Sequence, residues 1–163
     1  MINSFSGLYE FLSNFYNCPV TFYGITYRNS EAAFQAQKTK DEDVKREFSV
    51  LNPSSAKLKG RNIELREDWD KVKYNIMYHV VFYKFIQNKD LFFKLIQTKD
   101  EELIEGNWWH DNYWGDCHCD RCKDIKGQNK LGKILMDLRE KFKNPKIQEW
   151  EKQYTCQWGG DIK

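Results

Sequence analysis

No run of apolar residues in this 163-residue sequence is long enough to cross a bilayer; the longest candidate, His79 to Ile86, is short and interrupted by Lys84. The stretch Met1-Ile2-Asn3-Ser4-Phe5-Ser6 has no basic segment followed by an apolar one, so no secretory signal is visible. A cytoplasmic protein without a membrane partner is expected. A basic excess is missing as well. The 26 basic and 24 acidic side chains leave a net charge of +2, which argues against a protein that coats duplex nucleic acid. It does not argue against a site gripping one diphosphate. No internal repeat, low-complexity tract or Pro/Gly-rich linker divides the chain. A single domain over 1–163 is therefore expected, with its core at about 5–142 and a C-terminal extension at 143–163. The cysteines number five, with three crowded at 117, 119 and 122, which fits a reducing compartment better than a disulfide framework.

Aromatic residues, by contrast, are abundant. The 11 Phe, 9 Tyr and 6 Trp make up 16% of the chain, and a mean hydropathy of −0.80 does not imply disorder beside them. Such rings can fill a core and also line a pocket. The segment Ser30-Glu31-Ala32-Ala33-Phe34-Gln35-Ala36-Gln37-Lys38 is the most informative. Read as a helix, it places Glu31, Gln35 and Lys38 on one face, because offsets of four and seven return to nearly the same angle. Ala32, Ala33 and Ala36 fall on the other side and permit close packing. Ser30 is the expected N-cap, with Glu31 in the first turn. The face reads either as half of a polar active site or as an ordinary solvated helix surface.

The pattern predicts a mainly α (α+β) fold, a compact helical domain with a few short strands. Residues 15–28 alternate and suggest a hairpin turning near Gly24. Helices are expected at about 30–39 and 41–50, and another starting after Asn52-Pro53. The longest, 67–87, carries Trp69, Val72, Ile76, Val80 and Tyr83 at three- and four-residue steps. A short helix is expected at 90–98, a strand at Leu103-Ile104-Glu105 and a last helix at 128–143. That last helix has Leu131, Ile134, Leu135, Leu138 and Phe142 on one side. The end, 159–163, is expected to fray.

Residues 106–127 show no period, and a loop of that length in a compact domain is commonly functional. It contains Trp108-Trp109-His110-Asp111-Asn112-Tyr113-Trp114-Gly115-Asp116. Aromatic faces beside carboxylates suit a planar base and ribose hydroxyls, with stacking worth roughly 1–3 kcal/mol per base. The plainer reading is a loop pinned by buried tryptophans, with Asp116 capping the turn after Gly115.

Several motifs occur in one order: Leu12-Ser13-Asn14-Phe15-Tyr16, Ser30-Glu31 through Gln35-Ala36-Gln37-Lys38, and Lys59-Gly60-Arg61. Trp69, Tyr113-Trp114-Gly115-Asp116, Asn129-Lys130-Leu131-Gly132 and Met136-Asp137-Leu138-Arg139 follow. Together they resemble the NADAR family of YbiA-like N-glycosidases over roughly residues 5–142. The resemblance implies hydrolysis of the bond between ribose C1 and a nitrogen, with no metal and no cofactor in the chemistry. Its implied substrates are ADP-ribose on guanine, in DNA, RNA or nucleotides, or phosphoribosylamino-pyrimidine intermediates of riboflavin synthesis. A non-catalytic module binding ADP-ribose or NAD-like ligands is the competing class.

Cleaving a C1–N bond builds positive charge on the sugar and negative charge on the leaving nitrogen, so a carboxylate and a proton donor are needed. By the family motif Glu31 is the acid/base residue. Asp116 is the hydroxyl acceptor or second carboxylate. Lys38 is either a nucleophile that forms a Schiff base with an opened sugar, or a phosphate contact or salt-bridge partner of Glu31 or Asp116. Arg61 is a candidate phosphate ligand, Gly60 allowing close approach, or an exposed charge at a helix end. Trp69, Phe15, Tyr113 and Trp114 are candidates to line the substrate site, with Trp69 also fitting the core. Asn14 and Gln35 are candidate hydrogen-bonding groups; Asn129 is a ligand or the N-cap of the last helix.

Cys117-His118-Cys119-Asp120-Arg121-Cys122 contains a C-x-x-C with one extra thiol. It reads as part of a structural zinc site, completed by Cys156, His110 or His118, or as reduced loop thiols. Alternation would turn Cys117 and Cys119 apart.

Overall fold

The computed structural model describes residues 1–150, and these group into two compact units. One comprises Asn14–Lys89; the other joins Met1–Ser13 to Asp90–Trp150. The expected end fraying and Cys156 lie outside the described residues.

The first unit begins with a hairpin. Strands β1 (Asn17–Phe22) and β2 (Ile25–Asn29) pair antiparallel, with Val20 opposite Tyr27 and Phe22 opposite Ile25. Tyr23 and Gly24 form the turn, both at positive φ (46° and 78°), as a type I′ turn demands. Ile25, Tyr27 and Asn29 alternate inward along β2. Helix α1 (Ser30–Ala36) follows directly and packs on the hairpin and on two later helices. Those are α3 (Pro53–Asn62) and α4 (Trp69–Ile86). Between α1 and α3 lie α2 (Glu42–Glu47) and a 3-10 turn at Phe48–Val50. The start of α3 matches expectation: Asn52 Oδ1 accepts from Ser55 N at 2.8 Å and Pro53 fills the first turn.

Helix α4 forms as expected, but its inner face is rotated from the expected stripe. Val72, Ile76 and Tyr83 are half-buried, whereas Met77, Val81, Lys84 and Phe85 join Trp69 and Val80 inside. Lys84 is tolerated there because its Nζ lies 5.8 Å from the Tyr16 ring centroid and 5.2 Å from that of Phe85.

In the second unit a 3-10 segment, Gly7–Leu12, precedes α5 (Lys89–Gln97) and α6 (Lys130–Phe142). Leu131, Ile134, Leu135, Leu138 and Phe142 are all fully buried, as their spacing predicts. Phe92 of α5 meets Phe142 with ring centroids 4.6 Å apart. The strand expected at 103–105 reduces to a parallel bridge between Ile2 and Leu103. Two short strands instead interrupt the long loop: β3 (Gly106–Asn107) and β4 (Asp116–Cys117), paired in parallel. Arg139 is buried and donates to Thr98 Oγ1 at 2.9 Å and to Glu101 O at 2.8 Å, fixing the chain between α5 and β3. Among the described residues no helix is long and apolar enough to cross a membrane.

Candidate active site

Helix α1 has no solvated face. Every residue from Ser30 to Ala36 is buried, which rules out the solvent-facing reading of Glu31 and Gln35. Asn29, not Ser30, is the N-cap: the last residue of β2 keeps extended backbone, and its Oδ1 accepts from Ala32 N at 2.7 Å. Ser30 instead donates from Oγ to Asn14 Oδ1 at 2.9 Å. Asn14 also accepts Glu31 N on its carbonyl at 3.0 Å and directs Nδ2 at Met77 Sδ, 3.3 Å away. The Asn14 side chain thus holds the entry to α1 in place, and with it the position of Glu31.

Glu31 is 7% exposed and its Oε1 accepts from Gln35 Nε2 at 2.8 Å, the i to i+4 pairing the spacing predicts. The other end of that amide, Gln35 Oε1, is buried without a hydrogen-bond partner in the protein. A buried acceptor left unpaired costs free energy, about 1–3 kcal/mol, so it marks a place where an outside donor is welcome. Gly60 of α3 lies against this atom: a Cβ there would overlap Gln35 Oε1 and stand 2.8 Å from Cδ. The glycine therefore makes room for the Gln35 amide.

Lys38 lies beyond the end of α1, since the helix closes at Gln37. It is carried back to the site by the turn, with Nζ 3.4 Å from Gly60 O and 5.9 Å from the Trp69 ring centroid. Burial holds its ammonium below the usual lysine range; Glu31 pulls it back up, and Arg61 and Lys57 push it further down. Arg61 is exposed in the last turn of α3. Trp69 is buried against Phe34, ring centroids 5.1 Å apart, so one tryptophan serves both core and site. Phe15 is 43% exposed with Lys57 Nζ 5.8 Å from its centroid. Lys57 and Phe34 were missed from sequence. The i, i+4 spacing of Lys57 and Arg61 on α3 was the available signal.

The second unit gathers the loop motifs. Trp108 and Trp109 are 70% and 58% exposed, so buried tryptophans do not pin the loop. Short polar side chains do. Asn107 Nδ2 donates to Asp111 O at 2.7 Å, Asp111 Oδ1 accepts from Trp114 N at 2.8 Å, and Asn112 Oδ1 accepts from Cys117 N at 2.8 Å. Tyr113 and Trp114 are half-buried and meet edge to face at 4.7 Å; Lys130 Nζ lies 5.1 Å from the Tyr113 centroid. Asn129 sits at the start of α6 in left-handed conformation (φ 48°) and makes no side-chain cap. Its Oδ1 accepts from Glu105 N at 3.0 Å and its Nδ2 donates to Leu103 O at 2.9 Å. The capping is done by carbonyls: Lys130 N donates to Tyr113 O at 3.2 Å and Leu131 N to Trp114 O at 3.0 Å. Gly132 is needed because a Cβ there would overlap Leu103 O. Asp116 Oδ1 accepts from Gly127 N at 2.7 Å, Oδ2 lies 3.9 Å from His118 Nε2, and the residue borders a cavity of about 430 Å³.

Fold and side chains together define a mainly helical α+β protein in which a buried carboxylate–amide pair stands beside a half-buried amine and two further cations. The sequence matches the NADAR domain over residues 4–143. It is 38% identical over 137 residues to the N-glycosidase YbiA of Escherichia coli, covering 82% of each chain. It is 34% identical over 142 residues to the N-glycosidase Npun_R5314 of Nostoc punctiforme, covering 83% of this chain and 87% of that one. A third relative, the riboflavin biosynthesis protein VVA0006 of Vibrio vulnificus, is 36% identical over 137 residues; these cover 81% of this chain and 35% of that longer protein. The NMR structure of E. coli YbiA matches with a TM-score of 0.75 and 34% identity, covering 90% of this chain and 89% of that one. The chain belongs to the NADAR family.

Proposed function

We propose that this protein is an N-glycosidase that hydrolyses the bond between ribose C1 and a nitrogen, and that its substrate is ADP-ribose joined to guanine. The observation that carries the reading is the buried Glu31–Gln35 pair with its unpartnered amide oxygen, set beside a lysine whose charge is disfavoured by burial. Holding a ligand does not require a buried carboxylate beside an amine whose charge burial disfavours. An N-glycosidase needs the carboxylate for proton transfer, and a neutral amine beside it supplies a nucleophile.

In this reading Glu31 hands a proton to the leaving nitrogen as the C1–N bond breaks. The lone pair of neutral Lys38 Nζ adds to C1. Ring opening and loss of the Nζ proton leave an imine, which water hydrolyses to the free sugar aldehyde and the amine. The aldehyde recloses to ADP-ribose, so water is the only reactant consumed. Gln35 Oε1 accepts from a ribose hydroxyl or a base N–H, and Lys57 and Arg61 face the diphosphate. Trp69 and Phe15 flank the ligand. By its place in the WGD motif Asp116 is assigned to ribose hydroxyls.

The test is a mass-spectrometric release assay on guanine-linked ADP-ribose in a short oligonucleotide, run beside Glu31→Gln. Release of free ADP-ribose by the wild type, with at least a 100-fold loss in the variant and unchanged ligand binding, is expected for an acid/base carboxylate. Binding without release by the wild type would support the module instead. The name of the Vibrio vulnificus relative favours a second substrate, a phosphoribosylamino-pyrimidine, for the same chemistry. Cleavage of that compound but not of the guanine conjugate would select it.

A further inference from the structure

Outside the Glu31 cluster the loop of the second unit gathers four metal-ligating side chains. His110, Cys117, Cys119 and Cys122 each offer one ligand atom, and these atoms all lie within 4.8 Å of one another. We propose that these four side chains hold a structural zinc ion.

The distances suit one tetrahedral ion. His110 Nδ1 lies 3.0 Å from Cys119 Sγ and 3.6 Å from Cys122 Sγ. Nitrogen and sulfur ligands of zinc, at about 2.0 and 2.3 Å from the metal, stand about 3.5 Å from each other. The backbone N–H of His110 donates to Cys117 Sγ at 3.3 Å, the kind of outer bond that supports a metal thiolate. Cys117 and Cys122 are buried, so the sulfur side of the site is shielded from water. Three thiolates and an imidazole on so short a radius select zinc among the divalent ions available to a reduced protein.

The alternation that would part Cys117 from Cys119 does not operate. Strand β4 ends at Cys117, and the chain then turns through residues 120–124, which brings Cys119 and Cys122 back beside it. His110 approaches from the preceding turn, where its backbone is left-handed (φ 68°). His118 is not part of the set; it stands by Asp116, its ring tilted against Trp108 with centroids 6.0 Å apart. All four ligands come from the described residues, without Cys156.

Four protein ligands leave no open coordination position, so the ion is structural and takes no part in the glycosidic chemistry. Binding releases the three thiol protons and leaves one net negative charge on the cluster. Arg121, whose exposed guanidinium lies against the His110 ring, is placed to offset that charge. With Nδ1 on the metal the ring proton sits on Nε2, so Arg121 acts on the cluster through its charge and not as a donor to the ring. The ion would fasten the loop at Cys117, the neighbour of Asp116.

The test is metal analysis of the full chain, purified without a histidine tag under reducing conditions. About one zinc per chain is expected, retained in Cys156→Ser and lost in the Cys119→Ser, Cys122→Ser double variant. Cobalt titration of wild-type protein stripped of metal guards against a variant that fails to fold. It should saturate at one equivalent with intense visible bands from tetrahedral cobalt and a charge-transfer band from its thiolate ligands. Zinc well below one per chain in wild-type protein dialysed against zinc, or weak octahedral cobalt bands, overturns the proposal. Loss of zinc on Cys156→Ser overturns this ligand set.

Discussion

At the scale of single residues, the protonation state of Lys38 separates its two roles by the sign of a pH dependence. Burial lowers its pKa from the ordinary lysine value, and the neighbouring Arg61 and Lys57 oppose the partial restoration by Glu31. A nucleophilic amine must be neutral. Activity limited by it therefore rises as pH climbs through the lowered value and levels off above it. A phosphate contact must be charged, and activity limited by it falls over the same interval. We expect kcat/KM to rise on this limb, and borohydride added during turnover to trap a covalent adduct on Lys38. Lys38→Arg keeps the charge but cannot form the imine, so it should lose both the limb and the adduct. A falling limb with no adduct would assign Lys38 to the phosphate.

At the scale of elements, α1 depends on what is laid against it. A seven-residue helix is too short to persist by propensity, so its cap at Asn29, its tether at Asn14 and its packing on α3 hold it. Gly60 tests that dependence. Alanine in a helix interior ordinarily gains about 1 kcal/mol over glycine, yet here the added methyl must displace the Gln35 amide and loosen its bond to Glu31. Gly60→Ala should leave the melting temperature nearly unchanged while lowering kcat at least tenfold; equal kcat would show that the Gln35 position is unimportant. The helix period made Glu31 and Gln35 legible as a pair, and it made the inner side of α6 legible residue by residue. Lys38 reached the site by another route, a turn beyond the helix end, which periodicity does not describe. The N-cap was misplaced by one residue because Asn29 and Ser30 are both good caps, and only the exit angle of β2 decides between them. The buried surroundings of α1 were not legible, because a run with glutamate and two glutamines looks solvated until the hairpin, α3 and α4 are packed around it. Asn107, Asp111 and Asn112 hold the long loop through backbone bonds that leave no periodic trace.

For the whole molecule the nearly balanced charge limits how much nucleic acid it can grip. A net charge of +2 argues against a long phosphate track, and among the described residues Lys57 and Arg61 are the cations whose charge acts on Lys38. A protein that neutralises Z phosphates of a single strand loses affinity with a log–log salt slope of about −0.7 Z. Contacts confined to one diphosphate therefore predict a slope of roughly −1 to −2 for log kcat/KM against log salt. The same slope should appear for an ADP-ribosylated mononucleotide and for an oligonucleotide bearing the same adduct. This follows because recognition then ends at the sugar, the diphosphate and the base. A slope steeper than about −4 that grows with oligonucleotide length would instead reveal a phosphate track along the protein. Measuring both substrates across one salt series thus tells whether the strand is read or merely carries the adduct to Glu31.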